Sequence, residues 1–131
     1  GTVVAAVHAG WRSLAAGIVE HTVARMGCPA DQLMAWLGPA IGPRSFEVGE
    51  EVRAAFLSSD AEADEGFVRR ERGKWLADIY LLAKRHLLRA GVRSVYGGGW
   101  CTVEDEARFF SFRRDGVTGR MGSLIWLRPL H

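Results

Sequence analysis

Thr2 to Val7 reads TVVAAV, a continuous apolar and β-branched run without polar alternation. Such a run predicts a strand covered on both faces, which calls for a partly parallel sheet with helices packed against it. Polarity changes at His8. From Ser13 to Gly27 the residues Leu14, Ile18, Val19, Val23 and Met26 recur at three- and four-residue steps, predicting an amphipathic helix capped by Ser13 and stopped by Gly27. His8-Ala9-Gly10-Trp11-Arg12 then occupies a strand-to-helix turn, and ligands in open α/β sheets collect at the carboxyl ends of strands. His8 is therefore the leading candidate residue. A strand this apolar expects neighbours on both sides, and the chain opens on it with no initiator methionine and no polar leader. The sequence reads as the carboxyl-terminal portion of a longer domain.

Further along, Leu33 to Leu37 predicts a short strand. Gly38-Pro39-Ala40-Ile41-Gly42-Pro43 enforces an irregular loop, because its prolines and glycines deny either regular ladder. Glu47 to Leu57 suggests a second helix, with Val48, Val52, Ala55 and Phe56 inward, and Ser58 to Gly66 an acidic, mobile surface loop. A third helix is expected from Lys74 to Ala90, on the pattern Leu76, Ile79, Leu82, Ala83, Leu87, Ala90, with Gly91 as its stop. Ser94 to Tyr96 begins a strand that Gly97-Gly98-Gly99 interrupts. Arg108 to Phe112 and Ser123 to Leu127 read as closing strands, with a turn signal at Asp115-Gly116. The expected class is α+β, a mixed α/β sandwich.

Of the 131 residues, 48% are hydrophobic, enough for one globular domain with its own core. Seventeen basic against fifteen acidic side chains leave a net charge of +2, which argues for neither a nucleic-acid nor a membrane partner. No apolar stretch approaches the roughly 20 residues of a membrane span, and the start has no secretory signal pattern. Cys28 and Cys101 follow no C-x-x-C spacing, so a reduced, cytoplasmic protein is expected.

Several residues carry possible chemistry. His8 suits a metal, but catalytic zinc takes about three protein ligands, and neither His21, His86 nor His131 forms an i, i+4 pair with another histidine. A hydrogen-bonded structural histidine is the competing reading. Cys101 could be a nucleophile activated by His8 or an inert packed thiol. Arg113 and Arg114 offer donors suited to phosphate, although on a strand they point to opposite faces and at most one serves a pocket. Gly97-Gly98-Gly99 lacks dinucleotide-binding spacing. Arg69, Arg70 and Arg72, interleaved with Glu71, read as a solvated, salt-bridged face, with an arginine-rich binding module as the alternative.

Four stretches together resemble one family: His8-Ala9-Gly10-Trp11-Arg12; Gly38 to Pro43 with Phe46-Glu47-Val48-Gly49; Cys101-Thr102; and Phe110 to Gly116 with Thr118-Gly119-Arg120-Met121. The chain is similar to the YfiH or laccase-domain family, long labelled multicopper polyphenol oxidase and later linked to purine nucleoside chemistry. The resemblance implies a YfiH-type sandwich, here incomplete at its N-terminal side, with residues 1–131 as the carboxyl-terminal portion of one domain. It implies one zinc held by two histidines and a cysteine. His8 falls on one of those histidines, and the other two ligands belong to segments upstream of this chain, so Cys101 is not carried over as the zinc cysteine. Expected activities are phosphorolysis of adenosine, inosine or methylthioadenosine and deamination of adenosine, with copper-dependent phenol oxidation as the older alternative. Arg12 and Arg113 are assigned to phosphate from their charge. The family usually has Gly where Ser13 stands and Tyr where Phe112 stands.

Overall fold

The computed structural model describes residues 1–129. Two small sheets and four main helices alternate along the chain, the mixed α and β architecture that the sequence predicts. Helices α1 (Trp11–Ala15) and α2 (Ile18–Arg25) lead to strand β1 (Met34–Leu37), then β2 (Glu47–Gly49) and α3 (Glu50–Leu57). A hairpin of β3 (Phe67–Glu71) and β4 (Lys74–Ala77) is followed by α4 (Ile79–Arg89), β5 (Ser94–Gly97) and the single-turn α5 (Phe112–Asp115). One sheet is antiparallel in the order β2-β4-β3, and the other is the parallel pair β1-β5, in register from Met34 opposite Ser94 to Leu37 opposite Gly97.

The core lies between the antiparallel sheet and α1, α3 and α4. Leu14 is 0%, Phe56 1% and Leu82 1% exposed. Phe46, Val48 and Phe67 join them from the loop and strands around the sheet. Full burial of each such side chain contributes about 1.5–3 kcal/mol. Helix α2 buries no residue fully and leans on α4 through a short bond between His86 Nδ1 and Glu20 Oε1, 2.6 Å.

Several expectations are corrected. Thr2 to Val7 forms no strand: among the described residues nothing ladders with it, and Val4 and Val7 stand 37% and 40% exposed. The helix expected from Ser13 to Gly27 starts at Trp11 and breaks at Gly17, whose φ of +94° is left-handed and suits glycine alone. Ser13 caps nothing; Gly10 holds the cap position. Glu47 to Gly49 is strand rather than helix, because it pairs with Lys74 to Leu76. That pairing also takes Lys74 to Ala77 out of the predicted third helix, which begins only after Asp78 accepts a hydrogen bond from the Leu81 amide at 3.1 Å. Ser58 to Gly66 is no mobile loop. Ala61–Gly66 is a 3-10 helix held by Arg85, which reaches Asp60, Glu62 and Glu65 at 2.7, 3.1 and 2.9 Å. Arg108 to Phe112 and Ser123 to Leu127 are not strands, since no neighbour among the described residues supplies a ladder; Phe112 instead opens α5, capped by the buried hydroxyl of Ser111.

Candidate functional site

Chemistry-bearing residues gather in two places. The first is the turn entering α1. His8 is exposed there, and its ring makes no hydrogen bond to the protein among the described residues. A Cβ at position 10 would lie 3.4 Å from the ring's Nε2, in ordinary van der Waals contact, so the imidazole folds back over the turn beside Gly10. The Ser13 hydroxyl donates to the Gly10 carbonyl at 3.1 Å and reaches the His8 carbonyl at 3.5 Å, so it ties the turn together. An exposed imidazole with an unpaired nitrogen fits a zinc ligand. One ligand is not a site, however, and no group of three or more His, Cys, Asp or Glu side chains able to hold a metal exists among the described residues.

The two arginines assigned to phosphate stand apart. Arg12 is exposed and stacks its guanidinium over the Trp11 ring at 4.6 Å. Arg113 lies over the Phe46 ring at 5.2 Å and donates to the Glu47 carbonyl at 3.1 Å. They share no partner. Arg114 serves the fold: its guanidinium donates to the carbonyls of Thr102, Val103 and Phe109 and pairs with Asp115 at 2.8 Å, strapping the segment after Cys101 into place. On a one-turn helix the strand rule of opposite faces does not apply, and both side chains are engaged by the protein.

The second place is a crevice of about 790 Å³ at the carboxyl ends of β1 and β5. The loops leaving those strands are laced by the parallel bridge of Ala40 with Cys101 and by Thr102 N–H donating to the Ala40 carbonyl at 3.0 Å. Tyr80, from α4, buttresses both loops, its hydroxyl accepting from the Ala40 amide at 2.7 Å and donating to the Trp100 carbonyl at 2.7 Å. Burial lifts that phenol's pKa above its ordinary range, against the lowering effect of its bond to Ala40.

Cys101 lines this crevice half-buried. Burial pushes its thiol pKa up, but hydrogen bonds from the amides of Glu104 and Gly42, together with its contact to the Ser45 hydroxyl, outweigh it, and the net shift is downward. The amides reach Sγ at 3.5 and 3.1 Å. Gly42 is obligatory, because a Cβ there would lie 2.9 Å from the Cys101 Cβ. No contact joins Cys101 to His8, so the pairing of nucleophile and base does not form among the described residues. At the rim, Arg44 and Glu104 bridge at 2.7 Å.

Sequence reasoning missed Tyr80, Arg44 and Glu104. Tyr80 could have been found as a phenol on the apolar side of a helix, where a hydroxyl must find a partner. Arg44 and Glu104 carry no spacing signal. His86 is structural, its ring 6% exposed against Glu20. His131 lies outside the described residues. The basic run at Arg69 and Arg70 is an exposed strand as expected, but its ion pair is Arg70 with Glu47 at 3.4 Å rather than with the interleaved acids, Glu65 being taken by Arg85.

The profile of the family described as multi-copper polyphenol oxidoreductase laccase matches residues 1–128. Among relatives, a protein of Pseudomonas aeruginosa named purine nucleoside phosphorylase is 57% identical over 129 residues, covering 98% of this chain and 53% of its own. The YfiH protein of Escherichia coli K12, named purine nucleoside phosphorylase, is 54% identical over 127 residues, covering 97% and 52%. A crystal structure of a Neisseria meningitidis protein of the DUF152 family superposes with a TM-score of 0.82 at 50% identity, over 84% of this chain and 46% of that one. The chain thus spans about half the length of the relatives it matches.

Proposed function

The chain belongs to the multi-copper polyphenol oxidoreductase laccase family, and from that membership we propose that it forms the carboxyl-terminal portion of one YfiH-type domain, a zinc-dependent purine nucleoside phosphorylase. Adenosine, inosine and methylthioadenosine are its substrates, split by phosphate, and adenosine is also deaminated. The names of the relatives support the reaction class. The observation that carries it to this chain is the exposed His8 ring, which makes no hydrogen bond to the protein among the described residues.

His8 holds the metal, and the two remaining protein ligands come from the other half of the domain. Zinc in that position supplies a Lewis acid able to polarise an oxygen or lower the pKa of water. Arg12, its guanidinium plane fixed against Trp11, and Arg113, fixed against Phe46, keep outward donors for phosphate oxygens. The completing polypeptide covers the parallel pair β1-β5, where Met34 is 76% and Trp36 63% exposed. We place it in the cytoplasm, a setting in which Cys28 and Cys101 stay free thiols.

Zinc-loaded protein given inosine is expected to release hypoxanthine only when phosphate is present, and His8→Ala to abolish the release. A variant that turns over at the parental rate overturns the reading. Copper-dependent phenol oxidation, which the family's name favours, predicts oxygen uptake on a phenolic substrate after copper loading; among the described residues no group of three or more His, Cys, Asp or Glu side chains could hold a metal, where multicopper electron transfer needs several such ligands.

A further inference from the structure

The basic run at Arg69, Arg70 and Arg72 serves neither the metal nor the phosphate assignment, and it lies on the free edge of a sheet. In the order β2-β4-β3, strand β3 pairs with β4 on one side, and among the described residues no strand lies beyond it. Its outward N–H and C=O groups are open to another extended chain. After the buried Phe67, residues Val68 to Glu71 are all exposed, and so is the turn from Arg72 to Lys74.

The positive charge of this edge is largely uncompensated. Glu47 meets Arg70 at 3.4 Å, a long contact between two exposed side chains that contributes little. Neighbouring carboxylates are engaged elsewhere: Glu50 by Arg53 and the Trp75 indole, Asp64 by Arg53, and Glu65 by Arg85. Arg69, Arg72 and Lys74 enter no ion pair among the described residues, and Glu71 is the only acid between positions 69 and 74. Arg69 is steadied by Trp75, whose ring centre lies 5.9 Å from its guanidinium.

Charge separates the two occupants that such an edge could take. A second copy pairing antiparallel through its own β3 would set Arg69 and Arg70 against their counterparts, and like charges across a strand pair are destabilising. The bulge between Arg69 and Glu71 adds a twist that works against a long flat ladder of that kind. An acidic strand meets the opposite situation. Its carboxylates face guanidinium groups able to grip them bidentately, and Val68, 64% exposed, offers an apolar contact between the arginines.

We propose that the free edge of β3 binds an acidic, extended segment of another protein, which adds to the antiparallel sheet as a fourth strand with its carboxylates against Arg69, Arg70 and Arg72. Backbone hydrogen bonds supply the affinity and the arginines the choice of partner. The edge lies outside the residues given to metal and phosphate, so this docking neither needs the phosphorylase reading nor falls with it.

Fluorescence anisotropy on the purified protein tests the proposal with labelled peptides of alternating glutamate and valine and of alternating lysine and valine. The glutamate peptide is expected to bind at least about tenfold more tightly than the lysine peptide, because several cross-strand charge pairs act together, and to weaken as salt is raised. The triple variant Arg69→Glu/Arg70→Glu/Arg72→Glu should reverse the preference, a pattern that misfolding cannot produce. Only one edge of a bound strand faces β3. Of two glutamate peptides N-methylated on complementary sets of alternate residues, one should therefore bind as the parent peptide does and the other at least about tenfold more weakly. No binding of the glutamate peptide, equal affinity for the glutamate and lysine peptides, an unchanged preference in the triple variant, or equal affinity of the two N-methylated peptides overturns the proposal. Tighter binding of a single-stranded oligothymidylate than of the glutamate peptide also overturns it, and would make the basic run a nucleic-acid surface.

Discussion

Phe56 on α3 and Trp36 on β1 are both large aromatic residues on regular elements, yet one is 1% and the other 63% exposed. The same contrast divides the chain. Around Phe56, helices α1, α3 and α4 close over the antiparallel sheet, and each element finds its cover within the chain. Around Trp36, two parallel strands stand with both outer edges unladdered, beside terminal segments in which Leu124 is 87% and Trp126 72% exposed. Parallel strands are normally buried on both faces, and two strands alone are marginal. The first region folds on contacts it carries; the second is the natural seat for the polypeptide that we propose completes the domain.

The largest effect expected from this division is in stability. Phe56→Ala should cost about 3–5 kcal/mol in urea unfolding, through lost burial and the cavity left beside Phe67. Trp36→Ala should stay within about 0.5 kcal/mol, as surface substitutions do. A comparable loss at both positions would break the comparison, because it would mean that the β1-β5 face is already covered in solution.

The division also marks what was legible in the sequence. Val52, Phe56, Leu82 and Leu87 were readable from helical periodicity, and all are buried where α3 and α4 pack. Strand β1 was readable from its short apolar run. Periodicity failed where a helix-like pattern ran through a residue that resets the chain. Asp78 caps α4, and Gly73, with a φ of +72°, closes the hairpin between Glu71 and Lys74; both were passed over because Leu76 and Ile79 continue a three-residue step. Thr2 to Val7, Arg108 to Phe112 and Ser123 to Leu127 were read as strands from composition, but strand formation is decided by a neighbour's free edge, which local sequence does not encode. At the candidate sites, the exposure of His8 beside α1 was legible from the polarity change, but the strand that was to carry it does not form. The crevice was not, because it is assembled from loops about 60 residues apart through Tyr80 and Cys101.

A smaller effect sharpens the packed side of the comparison. Asp60 and Arg85 meet in two hydrogen bonds at 2.7 and 2.9 Å, with Asp60 only 10% exposed. The Arg85 guanidinium holds the Asp60 carboxyl below its ordinary range, against the opposing effect of burial. A carboxyl whose folded pKa is depressed contributes stability above the unfolded value of about 4 and loses it as pH falls through the folded value. The difference in melting temperature between parent and Asp60→Asn should therefore be largest near neutral pH and shrink toward zero below pH 4, with a cost of about 1–2 kcal/mol at pH 7. A difference that stays constant across this range would remove the ion pair as its source.

The smallest effect tests the boundary between the two regions, at the turn that carries His8. The Ser13 hydroxyl returns to the Gly10 carbonyl at 3.1 Å. In a regular helix a serine needs no special backbone, so the side chain adds a hydrogen bond without strain. Ser13→Ala should then lose about 0.5–1 kcal/mol, the net value of one such bond, whereas Ser13→Gly should lose up to about 1 kcal/mol more through the flexibility of glycine in a helix. Because Leu14, the next residue, is fully buried, that loss is expected in the unfolding of the packed region itself, while amide exchange at Val4 to Val7 stays fast in both variants. Slow exchange in that segment of the parent, lost in Ser13→Ala, would instead place the His8 arm within the cooperative core and move the boundary to the amino-terminal side of the turn.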